Sequence, residues 1–196
     1  MTTPIDPWNV FVVAVGLEKY DYGPAFDLPG AAAAADRFAR WALGCGVPAD
    51  QIVLACSRLA APHGTDPDPE LSGAPTVGTT RDELESLFQT TVPTRTDRLL
   101  LMYWCGHGVL NDVGERAVFT SDATQESKRN INVAELLRLL GSQSLHGFGE
   151  QVLFFDVCAN YLHTGPYPLR WTPDEIAAVP EHRRLTDGFD PKELHR

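Results

Sequence analysis

The sequence is poor in basic side chains and in long apolar runs, and each shortage excludes a class of protein. Sixteen Lys and Arg side chains stand against 26 Asp and Glu among 196 residues, so the net charge is −10. Such an acidic chain matches neither nucleic acid nor an anionic membrane surface. No apolar run approaches the roughly 18 residues of a membrane-spanning helix, and no secretory signal opens the chain. We therefore expect a cytoplasmic protein that binds neither membrane nor nucleic acid.

Cysteine is also scarce, with only Cys45, Cys56, Cys105 and Cys158 in the chain. Because intracellular proteins rarely hold disulfides, we expect four free thiols. Apolar residues make up 43% of the sequence and charged residues 21%, a balance typical of a folded globular protein. The length corresponds to about one domain.

Apolar runs alternate along the chain with segments that carry helical signals. Four runs are typical of buried strands, and they lie at 9–16, 51–56, 98–105 and 151–155. Helical signals lie between them, at 30–43, at the capping box that begins with Thr80, and at 133–140 after Asn132. The alternation predicts an α/β fold with a central, mostly parallel sheet and helices on both faces. Segment 60–78 is predicted to be an exposed loop and 109–120 a small hairpin.

A histidine and a cysteine directly follow the third and fourth predicted strands. These are His107, within Gly106-His107-Gly108, and Cys158. Since the carboxyl ends of parallel strands meet at one edge of a sheet, the two side chains are expected at the same edge. A histidine can take the proton of a thiol and later protonate a leaving amine. The Gly108 amide, together with the Cys158 amide, would supply the two donors that acyl transfer requires.

An acidic residue precedes the cysteine by two positions. Asp156 therefore shares a strand face with Cys158, so its carboxylate can line a pocket beside the nucleophile. A carboxylate in that place favours a basic side chain of a substrate.

Three stretches together resemble a known family. They are the first apolar run with Leu28-Pro29-Gly30-Ala31, the run that ends in Tyr103-Trp104-Cys105-Gly106-His107-Gly108, and Asp156-Val157-Cys158-Ala159-Asn160. In this order they resemble the caspase-like cysteine peptidases, particularly the bacterial caspase homologues and metacaspases. The resemblance implies a caspase-like fold and a Cys–His dyad that cleaves protein substrates. His107 would be the base and acid, Cys158 the nucleophile and Gly108 part of the oxyanion hole, while Asp156 would select arginine or lysine.

The resemblance also implies how the chain is organised and what it works with. Residues 1–160 would form the large-subunit portion of a catalytic domain, and 161–196 a polar linker or docking tail. The expected partners are a small-subunit fragment and a sensor or regulatory protein, as for the protease effector of a bacterial defence system. The chain would be a processed fragment, a truncated chain or a degenerate homologue, because no further apolar strand follows the cysteine. Ala34 stands where relatives often have an aspartate, which leaves Asp27 or Asp36 as substitutes for a second substrate-binding acid.

Other interpretations of the same residues stay open at this point. The chain can be a catalytically silent adaptor or scaffold, or a sheet protein that binds a nucleotide or flavin. A zinc site would use four residues without recognised ligand spacing, namely Cys105, His107, Cys158 and His163. We expect no cofactor, except that calcium, which activates some metacaspases, has candidate ligands in the loop residues Asp66, Asp68 and Asp112.

Overall fold

The computed structural model describes residues 5–110, 115–142, 147–158 and 160–161. Its strands are β1 (Val10–Leu17), β2 (Ile52–Ser57), β3 (Leu99–Gly106), β4 (Gly108–Leu110), β5 (Arg116–Phe119), β6 (Asn130–Asn132), β7 (Glu150–Val157) and β8 (Asn160–Tyr161). Its helices are α1 (Ala31–Gly44), α2 (Arg81–Ser86) and α3 (Val133–Leu140).

The central sheet has the strand order β2-β1-β3-β7, and all of its strands are parallel. Every residue of β1 is buried, which is why its sequence is a continuous run of apolar residues without polar alternation. The predicted α/β fold with a central parallel sheet is confirmed.

Helices cover the two faces of this sheet. On one face α1 packs closely against β1, because a Cβ atom on Gly16 would lie only 2.6 Å from the Ala31 carbonyl oxygen. On the other face Leu84 of α2 and Phe88 of the π-helical turn that follows it join the same core as Trp104. The predicted capping box at Thr80 is present, and the Asn132 side chain caps α3.

A second, smaller sheet has the strand order β6-β5-β4-β8. β4 and β5 form the predicted hairpin, whose tip at 111–114 lies outside the described residues. β4 follows β3 after a single residue, His107, and it pairs in parallel with β8. The smaller sheet therefore begins at the carboxyl edge of the central one, and His107 lies at the junction.

Two expectations from the sequence are wrong. The apolar strand β7 is not buried on both faces, since Val152 and Phe154 are 40% and 47% exposed. The reason is that α1 lies over β1 and its two neighbours, whereas β7 lies at the edge of the described sheet. Segment 60–78 is not simply an exposed loop, because Leu71 and Ala74 are buried. The segment also supplies main-chain hydrogen bonds to Leu54, and so it covers part of the β2 edge.

Two further expectations can be compared with the structure, and a third lies almost wholly outside the described residues. All four cysteines are free, as predicted. Within the described ranges no helix is both long and apolar enough to cross a membrane. The predicted tail 161–196 lies outside the described residues except for Tyr161.

Candidate active site

The chain brings the main chains of His107 and Cys158 side by side at the carboxyl edge of the central sheet. Gly106 pairs with Val157 across β3 and β7. One residue beyond His107, a Cβ atom on Gly108 would lie 2.8 Å from the Cys158 carbonyl oxygen. The two residues thus follow paired strands and leave the sheet at the same edge, the placement that the strand order favours.

The imidazole of His107 is held by a main-chain carbonyl. Its Nε2 atom lies 2.9 Å from the Phe26 carbonyl oxygen, and the two rings are 4.2 Å apart between centroids. Because a carbonyl only accepts hydrogen bonds, Nε2 bears the proton in the neutral ring and Nδ1 keeps a free lone pair. Burial lowers the pKa of His107, and the hydrogen bond to Phe26 opposes this shift. The ring is therefore a neutral base near pH 7.

A tyrosine that the sequence did not single out also contacts this histidine. The hydroxyl of Tyr20 accepts the His107 backbone N–H at 3.0 Å, and the ring centroids are 5.2 Å apart. The only signal available in the sequence is position, since Tyr20 lies three residues beyond the end of β1 and so near the same sheet edge. No signal in the sequence could have indicated the Phe26 carbonyl, because every residue carries the same main-chain carbonyl group.

A buried carboxylate fixes the segment that provides Tyr20 and Phe26. Glu18 is fully buried, and its two oxygens accept the Gly30 N–H at 3.0 Å and the Leu59 N–H at 3.1 Å. Buried carboxylates of this kind are stable when backbone donors surround them. Glu18 therefore ties segment 18–30 to the loop after β2.

Exposure separates Cys158 from the thiols inside the sheet. Cys158 is a free thiol exposed to solvent. Cys105 is half-buried, and burial together with the neighbouring Asp156 raises its pKa. Burial also raises the pKa of Cys56 to about 12. Of these three thiols, Cys158 combines access with a place beside the histidine.

The orientation of Gly108 follows from the peptide group that it shares with His107. The His107 carbonyl accepts the Phe119 N–H of β5 at 3.0 Å. In a trans peptide the carbonyl and the next N–H point in opposite directions. The Gly108 N–H therefore points away from β5, toward the side where Cys158 lies.

Asp156 lies on an open surface with aromatic neighbours. Its Oδ2 atom accepts the Tyr103 hydroxyl hydrogen at 3.0 Å and lies 3.9 Å from Cys105 Sγ. Tyr103 in turn stacks on Phe38, with ring centroids 5.0 Å apart, and Phe38 contacts Phe154. The carboxylate is thus fixed beside flat aromatic rings on the face from which Cys158 emerges.

The two substitutes for a second substrate-binding acid have other partners. Asp36 is buried and pairs with Arg58 at 2.7 Å, so it is not available to a substrate and that expectation is wrong. Asp27 accepts the Tyr20 backbone N–H at 3.4 Å. A substrate-binding role for Asp27 stays a prediction.

The metal hypotheses gain no ligand set from the described part of the chain. Within it, no group of three His, Cys, Asp or Glu side chains could hold a metal ion. His163 of the zinc alternative and Asp112 of the calcium alternative lie outside the described residues.

No protein-family model matches this chain, and no curated protein matches it either. Its function is therefore inferred from the residues of the site themselves.

Proposed function

We propose that this chain is a caspase-like cysteine peptidase that hydrolyses peptide bonds after arginine or lysine. Cys158 is the nucleophile and His107 is its base and acid. The observation that carries the proposal is that a neutral imidazole, oriented by the Phe26 carbonyl, and an exposed free thiol follow paired strands at the same sheet edge. Caspase-like folds place such a pair after two adjacent parallel strands, as β3 and β7 do here.

The first half of the reaction forms an acyl-enzyme. Nδ1 of His107 takes the thiol proton, and the sulfur of Cys158 attacks the carbonyl carbon of the substrate. The N–H groups of Gly108 and Cys158 donate hydrogen bonds to the carbonyl oxygen and stabilise the negative charge that develops on it. His107 then gives its proton to the leaving amine as the C–N bond breaks, which leaves a thioester.

The second half consumes one water. His107 takes a proton from the water, whose oxygen attacks the thioester carbon. The C–S bond breaks, and the thiolate of Cys158 takes the proton back from His107. The products are a carboxylic acid and the amine released earlier, so one water is consumed for each bond cleaved and no electrons are transferred.

The preference for a basic residue depends on the surface around Asp156. A guanidinium group can pair with this carboxylate and lie flat on the rings of Tyr103 or Phe154. The Tyr103 hydroxyl holds the carboxylate in place for that contact. An aspartate side chain of a substrate would instead meet a like charge.

Fluorogenic peptides with arginine, lysine or aspartate before the scissile bond test this proposal. The intact chain is expected to cleave the arginine and lysine peptides, and Cys158→Ala or His107→Ala is expected to remove the cleavage. Cys45→Ala is the matched control, since it deletes an exposed free thiol at the end of α1 and should cleave like the unmodified chain. Equal rates for the chain and Cys158→Ala would contradict the peptidase, and cleavage of aspartate peptides alone would contradict the role of Asp156.

An adaptor or scaffold remains the second candidate, and the exposed side of β7 favours it. Val152 and Phe154 there are partly exposed apolar side chains at a sheet edge, a feature that a partner can cover. We likewise propose as partners a small-subunit fragment and a sensor or regulatory protein. An adaptor would show no hydrolysis that depends on Cys158, so the peptide experiment separates the two functions.

A further inference from the structure

Tyr20 contacts both the main chain and the imidazole of His107. Its side chain is 2% exposed, and its hydroxyl accepts the His107 backbone N–H at 3.0 Å. Its ring meets the imidazole at 5.2 Å and, edge-on, the ring of Phe26 at 5.2 Å. One buried side chain therefore touches the histidine and the residue whose carbonyl orients that histidine.

Tyr20 is also fixed at both of its ends. The Asp27 carboxylate accepts its backbone N–H, and the Tyr20 carbonyl accepts the Gly23 N–H. At the other end, a Cβ atom on Gly106 would lie 2.9 Å from the hydroxyl oxygen, so the phenol packs directly on the main chain before His107. A Cβ atom at position 106 would therefore require the phenol to shift.

We propose that Tyr20 is the positioning residue of the candidate dyad and that its hydroxyl fixes the His107 main chain relative to Cys158. The Gly106–His107 peptide, whose N–H Tyr20 accepts, determines the position of the His107 Cα atom and so of its imidazole. The next peptide supplies the Gly108 N–H. Reaction rates are sensitive to displacements of about 1 Å in such groups. The inference rests on the proposed function, because positioning has meaning only if the two residues react together.

The groups that face the Tyr20 hydroxyl make its effect measurable. Its titratable neighbours include the His107 imidazole, the Asp27 carboxylate, Cys105 on β3 and Cys158 after β7, and burial keeps the pKa of Tyr20 above its ordinary value. The hydroxyl is thus a neutral hydrogen-bonding group throughout the pH range of the experiment described next. A change in the reactivity of Cys158 in Tyr20→Phe would therefore report a change of geometry rather than the loss of a charge.

The test compares Tyr20→Phe with the unmodified chain in two measurements. The first is the alkylation rate of Cys158 by iodoacetamide between about pH 5.5 and 8.5, resolved from Cys105 by mass spectrometry. The second is kcat and KM for the arginine peptide. We expect Tyr20→Phe to lose about tenfold in the Cys158 rate near pH 6.5 and about tenfold in kcat, with KM within about twofold.

Two other variants make the result specific. Tyr103→Phe likewise deletes a phenolic hydroxyl, the one beside Asp156. It should raise KM while leaving the pH profile of the Cys158 alkylation rate unchanged. Gly106→Ala keeps Tyr20 but forces its hydroxyl away, so it should reproduce the effect of Tyr20→Phe. If thermal melting shows that Tyr20→Phe does not fold, Gly106→Ala decides the question.

Each outcome supports or overturns the inference. It is overturned if a folded Tyr20→Phe overlays the unmodified chain while His107→Ala does not, or, where Tyr20→Phe does not fold, if Gly106→Ala overlays it. If no peptide is cleaved but the pH profile of Cys158 alkylation depends on both His107 and Tyr20, the positioning role of Tyr20 is supported and only the peptidase proposal is rejected. If the pH profile of Cys158 alkylation does not depend on His107 either, both the dyad and the positioning role of Tyr20 are rejected.

Discussion

Four thiols on one chain differ because their surroundings differ. Cys45 and Cys158 are exposed, Cys105 is half-buried, and burial raises the pKa of Cys56 to about 12. A thiol reacts as its thiolate, so its environment determines its reactivity. Of the two exposed thiols, Cys158 alone has a base at the same sheet edge.

We therefore predict an order of alkylation at about pH 7. Iodoacetamide should modify Cys158 first, then Cys45, and should leave Cys56 unmodified on the same timescale. Mass spectrometry of the digested protein measures the order within a single sample. Labelling of Cys56 as fast as that of Cys45 would contradict the burial that we describe.

A second residue-scale prediction concerns Asp156. Asp156→Asn removes the charge but keeps the shape, and it should lower kcat/KM for arginine peptides about ten- to hundredfold, the effect of losing one charge-assisted hydrogen bond. The loss should fall mainly on KM. Asp50→Asn is the control, because it makes the same change on an exposed carboxylate before β2, at the opposite edge of the sheet. An unchanged KM for Asp156→Asn would place the basic-residue pocket elsewhere.

At the scale of the elements, close contacts constrain the junction between β3 and β4. Gly108 lies against the Cys158 carbonyl and the Val157 side chain, where a Cβ atom would approach to 2.8 and 3.0 Å. Gly108→Ala should therefore push apart the strands that hold His107 and Cys158. We expect it to lower the free energy of unfolding by about 1–3 kcal/mol and to remove peptidase activity.

Gly44→Ala is the matched control for that variant. Gly44 is the last residue of α1, and a Cβ atom there would meet nothing within 4 Å. The substitution should leave activity unchanged and stability unchanged or about 0.4–1 kcal/mol higher. Urea unfolding and the peptide assay measure both variants, and equal effects at the two glycines would refute the close approach at Gly108.

At the scale of the whole molecule, the buried imidazole links stability to pH. Burial lowers the pKa of His107 in the folded state, while the unfolded chain has the ordinary value of about 6.5. As the pH falls below about 6.5, the unfolded chain takes up a proton that the folded chain still resists, so stability falls. Above that pH both states are neutral and the contribution is constant.

Unfolding free energies between about pH 7.5 and 5 measure this dependence. The unmodified chain should lose stability toward the acid end of the range, and His107→Asn should lose less over the same interval. His63→Asn, which removes an exposed histidine, should retain the full slope. Parallel slopes for the two variants would mean that His107 is not buried as a neutral ring.

The sequence was sufficient for the features that composition determines directly. The strand at β1 was predictable because a strand buried on both faces must be apolar at every position. The start of α2 was predictable because Thr80 and Glu83 satisfy each other's backbone donors. The edge shared by His107 and Cys158 followed from the direction of parallel strands.

Features that depend on neighbours distant in the chain could not be predicted in this way. An apolar run does not reveal whether another element covers it, which is why the exposure of Phe154 was missed. Leu71 is buried because segment 60–78 folds back on the β2 edge, and turn-rich composition does not indicate this. Asp36 could be placed in an ion pair only once Arg58 was located beside it.

The group that orients His107 belongs to the main chain, and this affects how position 26 can vary. A side-chain carboxylate that held an imidazole would be lost in a single substitution, whereas the Phe26 carbonyl persists whatever residue occupies that position. Scanning position 26 would therefore report only on ring packing. The orienting hydrogen bond itself would be weakened by backbone chemistry, such as an ester in place of the peptide between Phe26 and Asp27, which also removes the Asp27 N–H that donates to the Pro24 carbonyl.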